Sequence, residues 1–187
     1  MNINRALNLV IPVELGDGVA YVHSTPISRV IYEQFYLVIS KTFTRIFTEG
    51  FGTITGSRVA YLILKDVASE TNQWSQVENG LINEILRLSN VVILKDSGWA
   101  TLPLQTVVSQ KLIDENDIAD IIGELVFFTC VSWVQKRSGT QETLTAVNGL
   151  WGSSITSLDC TEYKNSLQTL TKEENTGEME NTSSPIY

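Results

Sequence analysis

The fold prediction starts from residues 25–48, TPISRVIYEQFYLVISKTFTRIFT. Thr25 is suited to the N-cap of a helix, because its hydroxyl can accept a hydrogen bond from a backbone N–H of the first turn. Pro26 fits the first helical position, where its missing N–H leaves no hydrogen bond unmade. The segment predicts one long helix, ~35 Å in length at about 1.5 Å per residue, with Gly50 and Gly52 terminating it.

Two rows of large apolar side chains run along this predicted helix. The first row consists of Ile27, Ile31, Phe35, Val38 and Ile39, and the second consists of Tyr32, Tyr36, Phe43 and Phe47. Such a wide apolar face is stable in water only when other elements cover it. The sequence therefore predicts either packing by further helices or contact with a second subunit, which makes a homo-oligomer one expected state of the chain.

Apolar residues recur at helical spacing in three further segments. Residues 57–70 predict a second helix, and Ser75-x-x-Glu78 predicts a capping box that opens a third. The acidic residues 114–117 predict the start of a long fourth helix, because carboxylates favour a helix N-terminus. Its end is expected at Lys136, Arg137 and Gly139. Short helices are expected at 140–151 and after a second capping box, Asp159-x-x-Glu162.

Strands are expected at two places. Residues 8–24 alternate apolar and polar side chains around a Gly-Asp-Gly turn, which predicts an N-terminal β-hairpin. Residues 91–94 fit a short strand before a turn at 95–98, and a short helix is expected after Pro103. The predicted fold class is mostly α: a single helical domain over residues 1–170 with a small N-terminal β-hairpin, followed by a disordered acidic segment over residues 171–187.

Composition and charge limit the classes of partner. The chain has 187 residues and a net charge of −8, and only Lys136 and Arg137 are adjacent basic residues. Nucleic acids and anionic membranes attract surfaces rich in Lys and Arg, so neither is expected as a partner. The apolar run at 7–15 is too short to span a bilayer and lacks a cleavage site, so the chain is expected to stay in the cytosol.

No combination of residues predicts a catalytic or metal site. His23 is the single histidine, and Cys130, expected to be buried, and Cys160 are too few with it for a structural zinc site, although a disulfide between them stays open. The segment 50–56 is expected to be an interhelical loop, and it lacks the Lys and spacing of a phosphate-binding loop. Residues 114–117 lack the alternating oxygens of a calcium loop. We therefore predict no enzyme, no cofactor and no metal, with an unrecognised carboxylate pair as the alternative.

Four residues are candidates for contact with a partner protein: Trp133, Trp151, Tyr163 and Leu167. The three aromatic residues fall in the C-terminal third of the chain, where the helical periodicity is weaker and incomplete burial is expected. Partly covered aromatic side chains are frequent anchors of protein interfaces. Leu167 is expected on the same short helix as Tyr163.

Two stretches of the chain resemble sequences of a known family. The first is YVHSTPISR at residues 21–29, together with the aromatic helix that follows it. The second lies within residues 150–167 and contains LWGSS, TSLDCTE and NSL. Both are similar to stretches in tailed-bacteriophage proteins of similar length. The chain thus resembles proteins of the phage tail module, of the kind that act as lambda-type tail assembly chaperones.

This resemblance implies a function in the host cytoplasm during virus assembly. In the lambda-type system the chaperone is small, acidic and helical, and it is often made together with a longer frameshifted form. The pair coats the tape measure protein, recruits tail-tube subunits and leaves before the virion is complete. The expected partners are therefore the tape measure and tail-tube proteins. A structural tail or neck component that is retained in the virion is the alternative.

Overall fold

A computed structural model describes residues 7–15 and 18–167 of the chain. Within these residues, five antiparallel strands form one sheet in the order β4-β3-β2-β1-β5. The strands are β1 (Asn8–Leu15), β2 (Gly18–Ser24), β3 (Ser89–Lys95), β4 (Gly98–Pro103) and β5 (Ser154–Thr156). Strands β2 and β3 are neighbours in the sheet although long helices lie between them in the sequence.

Helices occupy most of the remaining chain. They are α1 (Arg29–Thr48), α2 (Gly52–Glu70), α3 (Trp74–Val77), α4 (Asn83–Arg87), α5 (Leu104–Ser109), α6 (Glu115–Val134), α7 (Arg137–Trp151) and α8 (residues 160–167). A π-helical turn, Glu78–Ile82, joins α3 to α4 without a break. Gly80 lies in this turn, where a Cβ atom would meet the Phe35 ring of α1 at 2.5 Å. The absence of a side chain at this position therefore lets the turn pack against α1.

The predicted fold class, mostly α with a small N-terminal β-hairpin, is wrong. Strands β1 and β2 do pair within residues 8–24, but they belong to a five-stranded sheet that draws on distant parts of the chain. Residues 91–94 are part of β3, and the turn at 95–98 joins β3 to β4. Pairing of β3 with β2 is a non-local contact, and it leaves no local periodicity in the sequence that would predict it.

The two faces of the sheet have different surroundings, because successive side chains of a strand point to opposite faces. Val22 and Val91 lie opposite each other on one face and belong to the main hydrophobic core with the helices. His23 and Val92 lie on the other face, called the outer face here, and are also fully buried. Residues 157–167 cover this part of the outer face, as described below.

Helix α6 lies at the centre of the core. Leu125, Phe127, Phe128 and Val131 are each at most 1% exposed, so the helix is surrounded on all sides. It packs against α1, α2, α7 and β1. Its closest approach to α2 is at Gly123, where a Cβ atom would lie 2.6 Å from the carbonyl oxygen of Arg58.

Helix α1 ends at Thr48 as predicted but starts later, at Arg29, so it has only 20 residues. Its N-cap is Ser28, whose hydroxyl accepts a hydrogen bond from the Ile31 N–H, and not Thr25. Thr25 precedes the helix, and both its hydroxyl and its N–H donate to the Leu88 carbonyl. Thr25 was wrongly predicted as the N-cap because its hydroxyl instead donates to a carbonyl that is distant in sequence, that of Leu88 just before β3.

The predicted loop at 50–56 is also wrong, since α2 begins at Gly52. The connection between α1 and α2 is short, and Gly50 and Gly52 take positive φ angles of 80° and 64° within it. These angles favour glycine, because a Cβ atom makes the left-handed region costly. Helix α2 is therefore longer than the predicted helix at 57–70, and Gly56 lies inside it.

Only one of the two predicted capping boxes forms. The Asp159 carboxylate accepts from the Glu162 N–H at 2.8 Å, and the Glu162 carboxylate accepts from the Asp159 N–H at 2.9 Å. Helix α3 instead starts at Trp74, and Glu78 is the first residue of the π turn. Ser75 therefore lies two residues beyond the N-cap position, which Gln73 occupies, and cannot cap the helix.

The predicted end of the fourth helix is wrong as well. Helix α6 ends at Val134, Lys136 precedes α7, and Gly139 lies inside α7. The predicted helix at 140–151 therefore starts earlier than expected. The acidic segment at 171–187, predicted to be disordered, and the predicted domain end at residue 170 lie outside the residues that the structure describes.

We predict that Gly123→Ala destabilises the fold by about 1–3 kcal/mol, because the added methyl must push two backbones apart. Chemical denaturation measures this change. Gly149→Ala is the matched control, since a Cβ at this position in α7 meets no heavy atom within 4 Å. Replacing helical Gly with Ala at such an open site is expected to stabilise by up to about 1 kcal/mol. Equal effects of the two substitutions would contradict the packing described for α6.

Candidate functional site

One side of helix α1 is not covered by the rest of the protein. Its buried side chains, among them Phe35 and Ile39, face α6 and the core. On the opposite side, large apolar side chains stay exposed to unusual extents: Val30 72%, Tyr36 55%, Leu37 47% and Phe47 37%. Together with Thr44 they are called the α1 face here. Aligned exposed apolar residues on one helix are typical of an interaction surface.

Charged residues flank the centre of the α1 face, because Glu33 and Lys41 are exposed and lie one turn before and one turn after Leu37. Thr44 is exposed, but its hydroxyl donates to the Ser40 carbonyl at 2.9 Å, so its methyl group is left to contact a partner. The Phe47 ring packs against Phe43 with ring centroids 4.8 Å apart. The ion pair of Arg29 with Glu33 lies at the N-terminal end of the helix. A partner that covers the centre of the face must therefore leave the Lys41 ammonium in water or offer it an acidic group, because burying an unpaired charge is costly.

A groove with uncharged walls runs beside the α1 face. It has a volume of about 220 Å³ and lies between α1 and α3, with Tyr36 and Leu37 on its rim. The side chains of Gln34, Gln73 and Gln76 line it. Their amides can donate and accept hydrogen bonds, so the groove offers polar contacts next to an apolar surface. This combination of an apolar centre and a polar rim is the usual anatomy of a protein interface.

Ionic contacts hold α1 against α2 on the other side of the face. Arg45 pairs with Asp66 at 2.8 Å and with Glu70 at 2.9 Å, and both acids belong to α2. The hydrogen bonds that Arg45 donates to the Glu49 carboxylate and then to the Glu70 carboxylate raise the pKa of Arg45, so the guanidinium stays charged. These groups are partly exposed, so their main effect is to orient α1 with only a small gain in stability.

The four predicted partner-binding residues lie apart from the α1 face and from one another. Trp133 stacks on Tyr32 with ring centroids 4.7 Å apart, and Trp151 lies 5.3 Å below the Arg58 guanidinium. Tyr163 packs against β2, as described below, and Leu167 is half-buried at the end of α8. No ring contact in residues 7–15 and 18–167 joins two of the four.

The second apolar row of α1 already indicated the α1 face in the sequence, although the four predicted partner-binding residues do not include any residue of this row. Tyr36 and Phe47 belong to the second apolar row of α1, and that row was expected to be covered by other helices or a second subunit. The structure covers Tyr32 with Trp133 but leaves Tyr36 and Phe47 exposed. Helical periodicity reveals which residues share a face, but it does not tell whether the same chain covers that face.

The residues considered for catalysis do not converge. The described chain contains no group of three or more His, Cys, Asp and Glu side chains arranged to hold a metal ion. Asp114 is the N-cap of α6 and accepts from the Asn116 N–H. Cys130 and Cys160 are free thiols, and burial raises the pKa of Cys130 to about 12. Such a thiol is protonated at neutral pH and is a poor nucleophile.

An acidic cleft lies between β1 and α6, with a volume of about 230 Å³. Glu14, Asp117, Asp120 and Glu124 line it. Arg58 pairs with Asp120 at 2.8 Å, and the Ser153 hydroxyl donates to Glu124 at 2.5 Å. Burial raises the pKa of Glu124. These partners hold two of the four carboxyl groups in structural contacts.

Comparisons with protein-family models, curated proteins and solved structures gave no match to this chain. None of the helices in residues 7–15 and 18–167 is both long and apolar enough to cross a membrane.

His23 is held in its neutral form by its surroundings. Its side chain is fully buried, and its Nε2 lies 3.0 Å from the Leu158 carbonyl oxygen, so Nε2 carries the proton. Nδ1 has no hydrogen-bond partner in the described structure. Burial lowers the pKa of His23 below 6.5, although the Leu158 carbonyl and Asp159 oppose this shift. The unfolded chain therefore binds a proton at His23 more readily than the folded protein does.

We predict that His23 makes the fold less stable as the pH falls below about 6.5, because only the unfolded state gains the proton easily. Denaturation midpoints at about pH 8 and about pH 5 test this. His23→Gln keeps an amide donor but does not titrate, so the difference between the two midpoints should shrink. An unchanged difference in this variant would show that other groups cause the pH dependence.

Proposed function

We propose that this chain is a tail assembly chaperone of a tailed bacteriophage. It binds an apolar helical segment of the tape measure protein in the host cytoplasm and helps recruit tail-tube subunits. It catalyses no reaction. The observation that carries the proposal is the α1 face, a row of exposed apolar and partly aromatic side chains on a helix whose other side packs against α2 and α6.

The physical basis of binding is the burial of apolar surface. Complete burial of one large apolar side chain contributes about 1.5–3 kcal/mol, so several half-exposed side chains on one helix supply a substantial driving force. Tyr36 and Phe47 are suited as anchors, because aromatic side chains dominate the binding energy of many interfaces. A partner helix lying along α1 would cover them together with Leu37.

Charge favours a transient complex over permanent aggregation. The chain carries a net charge of −8, and mutual repulsion between copies of like charge opposes their association through exposed apolar surface. Such a protein can keep an apolar face available until its partner is made. This behaviour suits a chaperone, which must release its partner during assembly.

The assignment to a phage rests on the resemblance of residues 21–29 and 150–167 to tail-module proteins. Both stretches contribute to ordered structure: the first includes part of β2, and the second includes β5 and α8. The alternative is a structural tail or neck component. The two functions differ in one observable property, because a chaperone is absent from finished particles and a structural component is present in stoichiometric amounts.

We predict that co-expression with this chain makes an aggregation-prone tape measure fragment soluble, and that Leu37→Asp with Phe47→Asp abolishes the effect. Each new carboxylate would have to be desolvated on binding, so affinity should fall at least about tenfold. Leu62→Asp on α2 is the matched control, since Leu62 is 62% exposed and lies outside the α1 face.

Circular dichroism of each variant confirms that its fold is retained. A fragment that stays insoluble with the unmodified chain, together with stoichiometric amounts of the chain in purified particles, would replace the chaperone proposal with the structural alternative. Equal loss of solubilisation in the Leu62→Asp control would show that the α1 face is not the binding surface.

A further inference from the structure

The outer face of the sheet carries aromatic and apolar residues that one short segment covers. Tyr21 on β2 packs against Trp99 on β4, with ring centroids 5.9 Å apart. Between them in the sheet lies Val92 on β3, which is fully buried although it does not belong to the main core. An apolar sheet face of this kind requires a cover, because one face of a sheet alone does not bury its side chains.

Residues 157–167, called the strap here, provide this cover. The Leu158 carbonyl accepts hydrogen bonds from Asn8 Nδ2 at 2.8 Å and from His23 Nε2 at 3.0 Å. The Tyr163 ring lies 5.8 Å from the rings of both Tyr21 and His23. The Cys160 thiol also lies close to the side chain of Thr101 on β4. The strap thus reaches from β1 across β2 to β4.

The strap is held less firmly than the residues it covers. None of its own side chains is fully buried, whereas Asn8 and His23 beneath it are at most 1% exposed. Both of these residues keep a buried polar atom without a hydrogen-bond partner, Asn8 Oδ1 and His23 Nδ1. Segments with few buried contacts open more readily than the core, and unsatisfied buried groups lower the cost of opening here.

The outer face is larger than the strap. Val19 and Leu94 lie on the same face as Tyr21 and Val92, because side chains two residues apart in a strand point to the same side. They remain 50% and 51% exposed, respectively. A helix longer than α8 would cover them together with the part that the strap now covers. The apolar part of the outer face therefore extends beyond the residues that the described strap covers.

We propose that the strap is a reversible lid over a helix-docking site, and that an amphipathic helix of a partner protein replaces it. The partner helix carries an aromatic anchor in the position of Tyr163, and its apolar residues continue over Val19 and Leu94. The class of partner rests on the proposed function, whereas the existence of the lid does not. The open state exposes Tyr21 and Trp99 for binding.

The lid reduces the affinity of any competing helix by the fraction of molecules that are open. Substitutions that release the strap should therefore increase the affinity, and a covalent lock should abolish binding. Tyr163→Ala releases the strap, because it removes both ring contacts of the anchor. Thr101→Cys locks it, because the new thiol lies beside Cys160 and can form a disulfide under oxidising conditions.

The probe is a fluorescent peptide with the sequence of residues 157–167 carrying Cys160→Ser, and its binding to the full chain is followed by fluorescence anisotropy. We expect the Tyr163→Ala protein to bind it at least about tenfold more tightly than the unmodified protein. Oxidised Thr101→Cys protein should not bind it, and reduction should restore binding. The double variant Thr101→Cys with Cys160→Ser controls for the substitution itself, because it cannot form this disulfide.

Hydrogen exchange of the unmodified protein supplies an independent test. Amides of residues 160–167 should exchange at least about tenfold faster than amides of β2, because the strap opens without unfolding the sheet. Equal exchange rates of the strap and the sheet would overturn the lid, as would equal peptide binding by the unmodified, released and locked proteins.

Binding of the tape measure fragment separates the lid from the proposed function. Leu94→Asp should weaken binding of this fragment but leave binding of the short peptide unchanged, since the strap does not cover Leu94. If the peptide binds as expected and the fragment binds neither the unmodified nor the released protein, the lid stands and the proposed function fails. If the fragment binds all forms equally, it binds through the α1 face alone, and the tape measure protein is not the partner that replaces the strap.

Discussion

Close contact between α6 and α2 at Gly123 is the constraint on which the arrangement of the helices depends. A Cβ atom there would lie 2.6 Å from the Arg58 carbonyl oxygen, so only glycine permits this distance between the two backbones. The Arg58 side chain extends the same junction, because it pairs with Asp120 of α6 and lies over Trp151 of α7. With α2 and α7 packed around it, residues 125–131 of α6 are buried on all sides, and α1 is left on the outside of the helical layer.

The exposed α1 face follows from this order of layers. Helix α1 needs only one side for its contacts with α2 and α6, and Arg45 holds it there through ion pairs with Asp66 and Glu70. The opposite side is still rich in apolar residues such as Leu37, although no element of the described chain covers it. Keeping these side chains exposed costs solubility, which a net charge of −8 offsets in part. Such an arrangement is expected when an interaction with another protein covers the face.

Local structure was predictable where the determining contacts are close in sequence. The end of α1 and the capping box of Asp159 with Glu162 depend on residues within a few positions, and both were predicted. The five-stranded sheet was not predicted, because the pairing of β2 with β3 joins segments that are far apart in the sequence. Gly123 illustrates the same limit. In the sequence it weakens the prediction of a helix, and only the tertiary structure shows that the backbone of α2 leaves no room for a side chain at this position. The exposure of Leu37 likewise depends on which helices pack around α1, and periodicity does not contain that information.

The central claim is that the chain acts by covering apolar surface of a partner with the α1 face. Hydroxyl-radical footprinting of the chain with and without a bound tape measure fragment tests it most directly, because it measures the solvent exposure of individual side chains. The account predicts that Tyr36, Leu37 and Phe47 lose most of their reactivity in the complex, whereas Leu62 on α2 keeps its own. Unchanged reactivity of the three α1 residues in a saturated complex would contradict the claim.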